Sequence, residues 1–118
     1  MTLTDHQKSK QENYIKKLVS NSRAIISNQI ALPLGVSKMT TIISWINQID
    51  PIENIDLKVF QEYMSKTKNL PLGTERLTYS RDFLKLQDLQ LDKVTMIYKD
   101  RIIDKCFEII KKFSNESQ

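Results

Sequence analysis

The scarcity of residues that break helices most constrains what this chain can fold into. Its 118 residues include only two glycines and three prolines. Four of these five residues fall in two short segments, residues 32–35 and 70–73, and the remaining proline follows Asp50. Long segments without such residues favour long helices over strands joined by tight turns.

Apolar residues recur three and four positions apart, which is the spacing of one helix face. The first helix is predicted to start at Thr4, since Thr4 and Gln7 can form a capping box, and to be broken around Pro33. A second helix would end before Pro51, because the residue before a proline disfavours helical geometry.

The rest of the chain predicts one short and one long helix. Asn54 or Asp56 would cap the short helix, and Ser80 would cap the long one. The long helix would cover residues 81–113, or about 50 Å at 1.5 Å per residue. It is apolar on more than one side, so we expect it to touch neighbours on two sides.

Together these patterns predict an all-α, single-domain bundle of four or five helices with a long C-terminal helix. The domain would span residues 1–118, with residues 1–12 frayed because they are polar and residues 115–118 as a disordered tail. The predicted core consists of Ile26, Ile42, Ile46, Phe60, Val94, Ile102 and Ile109.

The two proline–glycine segments resemble each other over nine residues. Leu32-Pro-Leu-Gly-Val-Ser-Lys-Met-Thr40 and Leu70-Pro-Leu-Gly-Thr-Glu-Arg-Leu-Thr78 share proline, glycine, a basic residue and threonine at matching positions. We expect each segment to be a corner that turns the chain into a new helix. The match is too short to establish a duplicated domain.

Residue types that carry catalysis or bind metals are scarce. His6 is the single histidine and lies in the polar terminus, and Cys106 is the single cysteine, within an apolar stripe typical of a core position. No metal-binding pair, calcium loop, phosphate loop or dinucleotide motif is present. We therefore predict that the protein is not an enzyme and has no cofactor, metal or small-molecule substrate.

The sequence also indicates a compartment. A single cysteine suits a reducing environment, and residues 1–12 are polar, unlike a signal peptide. No apolar run approaches the roughly 18 residues that a membrane span needs. These features predict a cytoplasmic protein with no membrane partner.

The net charge of +4 is concentrated at one end of the chain. Residues 1–38 hold six basic and two acidic side chains, whereas residues 39–118 hold twelve of each, and we place this surplus in the first helix. A basic helix can contact nucleic acid or an acidic protein, or can be a solvated lysine face. Lysines outnumber arginines fourteen to four, which favours generic phosphate contact over specific base reading.

Acidic residues line one face of the last helix. Asp100, Asp104 and Glu108 stand four apart, and Asp88 and Asp92 repeat this spacing a few turns earlier. Like charges at this spacing destabilise a helix by about 0.2–0.5 kcal/mol per pair, a cost that a basic partner would offset. The strip is either a docking surface for a cationic protein or a solvated face of mixed charge.

A second candidate for partner binding lies just before the last helix and at its start. It consists of Glu75, Arg76, Tyr79, Arg81 and Asp82. Arg and Tyr are favoured binding anchors, and a helix start offers free amides to an anion. The alternative is an Arg–Asp pair that only fixes the corner.

In its length, its lack of catalytic groups and its Ile/Lys/Asn-rich composition, the whole chain resembles the small cytosolic immunity proteins of bacterial contact-dependent growth-inhibition systems. The repeated Leu-Pro-Leu-Gly signature is also similar to that of a family of helical bacterial proteins. The first resemblance implies a tight complex with one cognate toxin domain, often a nuclease or tRNase, whose active site is covered. Such inhibitors are commonly acidic, whereas this chain is basic overall.

The binding function therefore stays open between three classes. The first is an immunity-type toxin inhibitor, which we favour. The second is a nucleic-acid-associated protein that uses the basic first helix. The third is a structural subunit that self-associates through the wide apolar surface of the last helix.

Overall fold

Four α-helices make up most of the chain. The structure, a computed structural model, describes residues 3–68, 70 and 73–114, and of residues 73–75 it describes the backbone alone. The helices are α1 (Asp5–Ile26), α2 (Leu32–Ile49), α3 (Lys58–Thr67) and α4 (Arg81–Ser114), with a 3-10 helix at Gly73–Thr78. No strand occurs within these described ranges. The predicted all-α bundle with a long C-terminal helix is confirmed.

Side-chain caps set the helix starts. Thr4 Oγ1 accepts a hydrogen bond from the amide of Gln7 at 3.1 Å, and Gln7 Oε1 accepts one from the amide of Thr4 at 2.9 Å, which is the predicted capping box. Asp56 accepts the first amide of α3 at 2.9 Å. Ser80 accepts the amide of Phe83 at 3.2 Å, as expected for the cap of α4. The residues predicted as a tail, 115–118, lie outside the described part of the chain.

The two proline–glycine segments differ in structure. In the first, Pro33 and Gly35 lie inside the first turn of α2 rather than at the corner before it. Gly35 is buried against α1, since a Cβ there would lie only 2.6 Å from Cγ1 of Ile25. In the second, Gly73 starts the 3-10 helix and α4 begins at Arg81, while residues 69, 71 and 72 lie outside the described residues. The first segment thus opens a new helix, as predicted, although the chain turns just before it, and the second lies partly outside the described residues.

The core lies where α1, α2 and α3 pack against the C-terminal half of α4. Five of the seven predicted core residues are buried, namely Ile42, Ile46, Phe60, Ile102 and Ile109.

Two predicted core residues, Ile26 and Val94, are only half-buried. Ile25 rather than Ile26 is buried at the end of α1, so the buried position lies one residue earlier than predicted. Val94 lies in a part of α4 that the other helices cover incompletely, because the first buried residue of α4 is Ile102.

α4 runs along the full length of the molecule. Its 34 residues correspond to about 51 Å, and the longest extent of the molecule is 53 Å. By the same measure, the ten residues of α3 span about 15 Å. Within the described residues, no helix combines the length and the apolar character that crossing a bilayer requires.

Candidate protein-docking surface

Large apolar side chains are exposed along one side of α4. Leu86, Leu89, Met96, Ile97 and Phe107 are between 55% and 82% exposed. Separations of three, seven and eleven residues bring these side chains to one face of a helix, opposite the face that is buried in the core. We call these five residues the outer stripe. Singly scattered apolar residues are ordinary on a surface, whereas a continuous set of them marks an interaction site.

The apolar surface continues from the outer stripe towards the 3-10 helix. Leu77, Tyr79 and Phe83, which we call the apolar corner, are each more than a third exposed. The rings of Tyr79 and Phe83 stack, with centroids 4.9 Å apart and an interplanar angle of 22°. Stacked rings are held in place before a partner arrives, so they lose little conformational freedom on binding.

An ion pair fixes the 3-10 helix on α4. Arg76 donates two hydrogen bonds to the carboxylate of Asp88, at 2.7 and 3.0 Å, in the bidentate geometry that arginine favours. The hydrogen bond with Arg76 holds the pKa of Asp88 below its ordinary value and raises the pKa of Arg76. Both residues were predicted to bind a partner, but in the structure they bind each other and hold the apolar corner in place.

The other residues of that predicted segment are placed at the surface. Tyr79, Arg81 and Asp82 are exposed, so they remain available to a partner. The side chain of Glu75 lies outside the described part of the structure. The Arg–Asp pair anticipated from the sequence does exist, but Asp88 rather than Asp82 provides its carboxylate.

The predicted acidic strip is only partly free. Asp100 and Asp104 are exposed on the face of the outer stripe, and within the described residues neither forms an ion pair. Glu108 forms an ion pair with Lys105. Asp92 is exposed, but its predicted companion Asp88 is engaged with the 3-10 helix. Two carboxylates therefore stand among the apolar residues of α4.

Arg101, the basic residue next to Asp100, is engaged elsewhere. It donates to Glu62 of α3 at 3.1 Å and lies over the ring of Tyr98, 5.1 Å from its centroid. It is thus bound at the α3 side of α4, which leaves the charge of Asp100 available on the outer stripe.

The basic surplus is distributed differently from the prediction. Lys38 lies in α2, where it is the single charged residue of the helix, so α1 and α2 share the surplus that was assigned to the first helix alone.

The residue types that could carry chemistry are not assembled into one site. Cys106 is fully buried, and burial raises the pKa of its thiol from 9.0 to about 11, against a smaller lowering by a hydrogen bond with Ser22. His6 is exposed on the first turn of α1. Among the described residues, no three His, Cys, Asp or Glu side chains lie close enough together to hold a metal ion.

The sequence predicted the wide apolar surface of the last helix as a surface for self-association, but it did not show which of its residues stay exposed. The signal was present, since α4 is apolar on more than one side, but we expected packing neighbours to cover both sides. Comparison of the chain with protein-family models, curated protein sequences and solved structures finds no match.

Proposed function

We propose that this chain is a non-catalytic protein-binding module, and specifically an immunity-type inhibitor that binds a bacterial toxin domain and covers its active site. The outer stripe of α4 is the observation that carries this proposal. A stable complex needs apolar anchors at its centre, and the stripe, together with the apolar corner, offers eight large exposed apolar side chains, seven of them between Leu77 and Ile97.

The charges on the stripe favour a partner of a particular kind. Asp100 and Asp104 stand between Ile97 and Phe107 along the helix, and the exposed Lys93 stands between Leu89 and Ile97. The part of the stripe next to Phe107 is therefore its acidic part, and a partner that covers this part must neutralise two carboxylates. A toxin that cleaves nucleic acid presents basic side chains to phosphate, and these would pair with the two carboxylates. The pairing would be local, because α4 as a whole carries eight basic and six acidic side chains.

The test is co-expression with the protein encoded by the adjacent gene. We expect a complex that survives purification and that protects the cell from that protein. The double substitution Leu89→Glu, Ile97→Glu should weaken the complex at least about 100-fold, because two central apolar anchors are each worth about 2 kcal/mol or more. Leu34→Glu is the matched control, since Leu34 is 44% exposed on α2 and lies off the stripe.

Each failure has a distinct meaning. If the neighbouring protein is neither bound nor neutralised, the immunity function is wrong. If it is bound equally well by the double variant, the complex uses another surface. If the purified chain sediments as a dimer that the double variant converts to a monomer, a second copy covers the stripe and the self-associating structural subunit is the correct function.

A further inference from the structure

A groove between α1 and α2 is separate from the outer stripe and the apolar corner. It encloses about 540 Å³, which lies within the roughly 300–1,000 Å³ typical of small-molecule sites. Its lining combines one aromatic ring with polar side chains, namely Trp45, Lys17, Lys38, Asn21, Gln29 and Thr41. No carboxylate is among the described residues that line it. The groove is therefore positive on both walls, since α1 provides Lys17 and α2 provides Lys38.

Trp45 provides a flat ring at the edge of this groove. It is 40% exposed, whereas tryptophan is highly buried on average in folded proteins. Tyr14 of α1 packs against it, with ring centroids 5.3 Å apart and an interplanar angle of 36°. The ammonium group of Lys10 lies 5.9 Å from the centroid of the Tyr14 ring. The cation of Lys10 and the rings of Tyr14 and Trp45 are therefore neighbours beside the groove.

A buried polar atom beside the groove has no partner. Asn21 is only 5% exposed; its Nδ2 donates to the carbonyl oxygen of Gly35 at 2.9 Å, but its Oδ1 has no hydrogen-bond partner. A buried acceptor without a donor is costly.

We propose that the α1–α2 groove binds a nucleotide unit, with the phosphate between Lys17 and Lys38 and the base stacked on Trp45. Two lysines without a neighbouring carboxylate select an anion, and the exposed indole selects a planar ring. A nucleotide carries both. The unit belongs either to a single strand of RNA or DNA or to a free nucleotide. This site uses α1 and α2, so it does not depend on the docking function of α4.

The chain offers a direct reporter for this site, because Trp45 is its single tryptophan. We would titrate the full chain with a ten-nucleotide single strand of thymidylate, with AMP, and with inorganic polyphosphate, while recording tryptophan fluorescence. The single strand should quench the fluorescence in a saturable manner. One neutralised phosphate should make binding about 2.5-fold weaker at 200 mM than at 50 mM salt.

Substitutions on the two sides of α1 locate the site. Lys17→Gln and Lys38→Gln should each weaken binding of a fluorescently labelled strand several-fold, as measured by anisotropy. Lys16→Gln is the matched control, since Lys16 lines a different groove beside Phe113 of α4, and it should leave binding unchanged. Trp45→Ala should weaken binding at least about tenfold, whereas Trp45→Phe, which keeps a ring, should retain most of it.

The outcomes separate the possible ligands. Saturable quenching by AMP as strong as that by the strand would identify a free nucleotide, and stronger binding of the strand would identify single-stranded nucleic acid. Binding of polyphosphate as tightly as the strand, or an equal loss in the Lys16 and Lys17 variants, would mean general attraction to polyanions and would overturn the proposal. Absence of binding by all three ligands at 50 mM salt would overturn it as well.

Discussion

The two halves of α4 belong to one helix but have opposite surroundings. Residues 102–114 include three buried side chains, those of Ile102, Cys106 and Ile109, whereas residues 81–101 include none. Four of the five outer-stripe residues, together with Phe83 of the apolar corner, lie in the first half. The C-terminal half thus supplies the fully buried side chains of α4, whereas the N-terminal half packs on the core only through half-buried residues such as Leu91, Val94 and Tyr98 and exposes more apolar surface.

The difference follows from the lengths of the neighbouring helices. α4 is about 51 Å long and α3 about 15 Å, so α3 cannot accompany α4 along its full length. The contacts of Tyr63 with Thr95 and of Glu62 with Arg101 show which part of α4 the short helix covers. Towards the N-terminus, the ion pair from Arg76 to Asp88 holds the 3-10 helix against α4. The uncovered length is what a partner can use.

The largest expected effect is on the free energy of unfolding, which replacement of an isoleucine by aspartate should lower far more in the buried half of α4 than in the exposed half. Ile102→Asp places a charge without a partner in the core and should cost roughly 3–5 kcal/mol, enough to unfold a domain of ordinary stability. Ile97→Asp alters a side chain that is 70% exposed and has Lys93 four residues before it, so it should cost less than about 1 kcal/mol. Urea denaturation followed by circular dichroism measures both. Equal effects would mean that the two halves are not differently buried.

The contribution of the buried half to the free energy of unfolding should depend on pH. Because the pKa of the Cys106 thiol is raised from 9.0 to about 11 by burial, the folded state favours the protonated thiol. This contribution is fully present below pH 9 and is lost as the pH rises towards 11, by roughly 2 kcal/mol. The difference in free energy of unfolding between the wild type and Cys106→Ala should therefore shrink over this range. A constant difference would contradict the burial of the thiol.

Loss of one hydrogen bond at the boundary between the two halves should lower the free energy of unfolding by a smaller amount. Tyr63 is fully buried, and its hydroxyl shares a hydrogen bond of 2.8 Å with Oγ1 of Thr95. Tyr63→Phe should cost about 1 kcal/mol. A double-mutant cycle with Thr95→Val isolates the bond from other effects of each substitution. A coupling energy of zero would mean that this bond does not hold α3 to α4.

In the exposed half, loss of the ion pair should act locally. Asp88→Asn removes the carboxylate that holds Arg76, so the 3-10 helix should be released while the core stays folded. Trypsin should then cleave faster after Arg76 than in the wild type, with little change in the thermal midpoint. Asp92→Asn is the matched control, since Asp92 is exposed and one turn away. Equal cleavage in both variants would show that the pair does not restrain this segment.

Much of the fold could be predicted because local signals decided it. The capping box at Thr4 and the cap at Ser80 act within a few residues, so the sequence contains all their partners. The corners were predicted less well. The position of Gly35 inside α2 depends on how closely α1 approaches, which is a contact between helices and not a property of the nine-residue motif.

The candidate docking surface could be predicted only as a set of residue types. Asp100 and Asp104 remain available as the spacing suggested, but Asp88 was engaged by Arg76, twelve residues away. Sequence spacing cannot show this pairing, because the 3-10 helix first has to fold back onto α4. The exposed residues of the outer stripe could not be singled out within the apolar surface of the last helix for a related reason, since whether a second apolar face is covered depends on the lengths and positions of other helices.

The sequence alone determined that α4 is one long helix. Its cap, its length, its apolar periodicity and the absence of glycine and proline within it all act locally, and they allow no other secondary structure. Which of its faces and which of its halves are buried was decided only by the tertiary structure. Burial depends on the three helices that pack against α4, and these cover its inner face and its C-terminal half while leaving the outer stripe exposed.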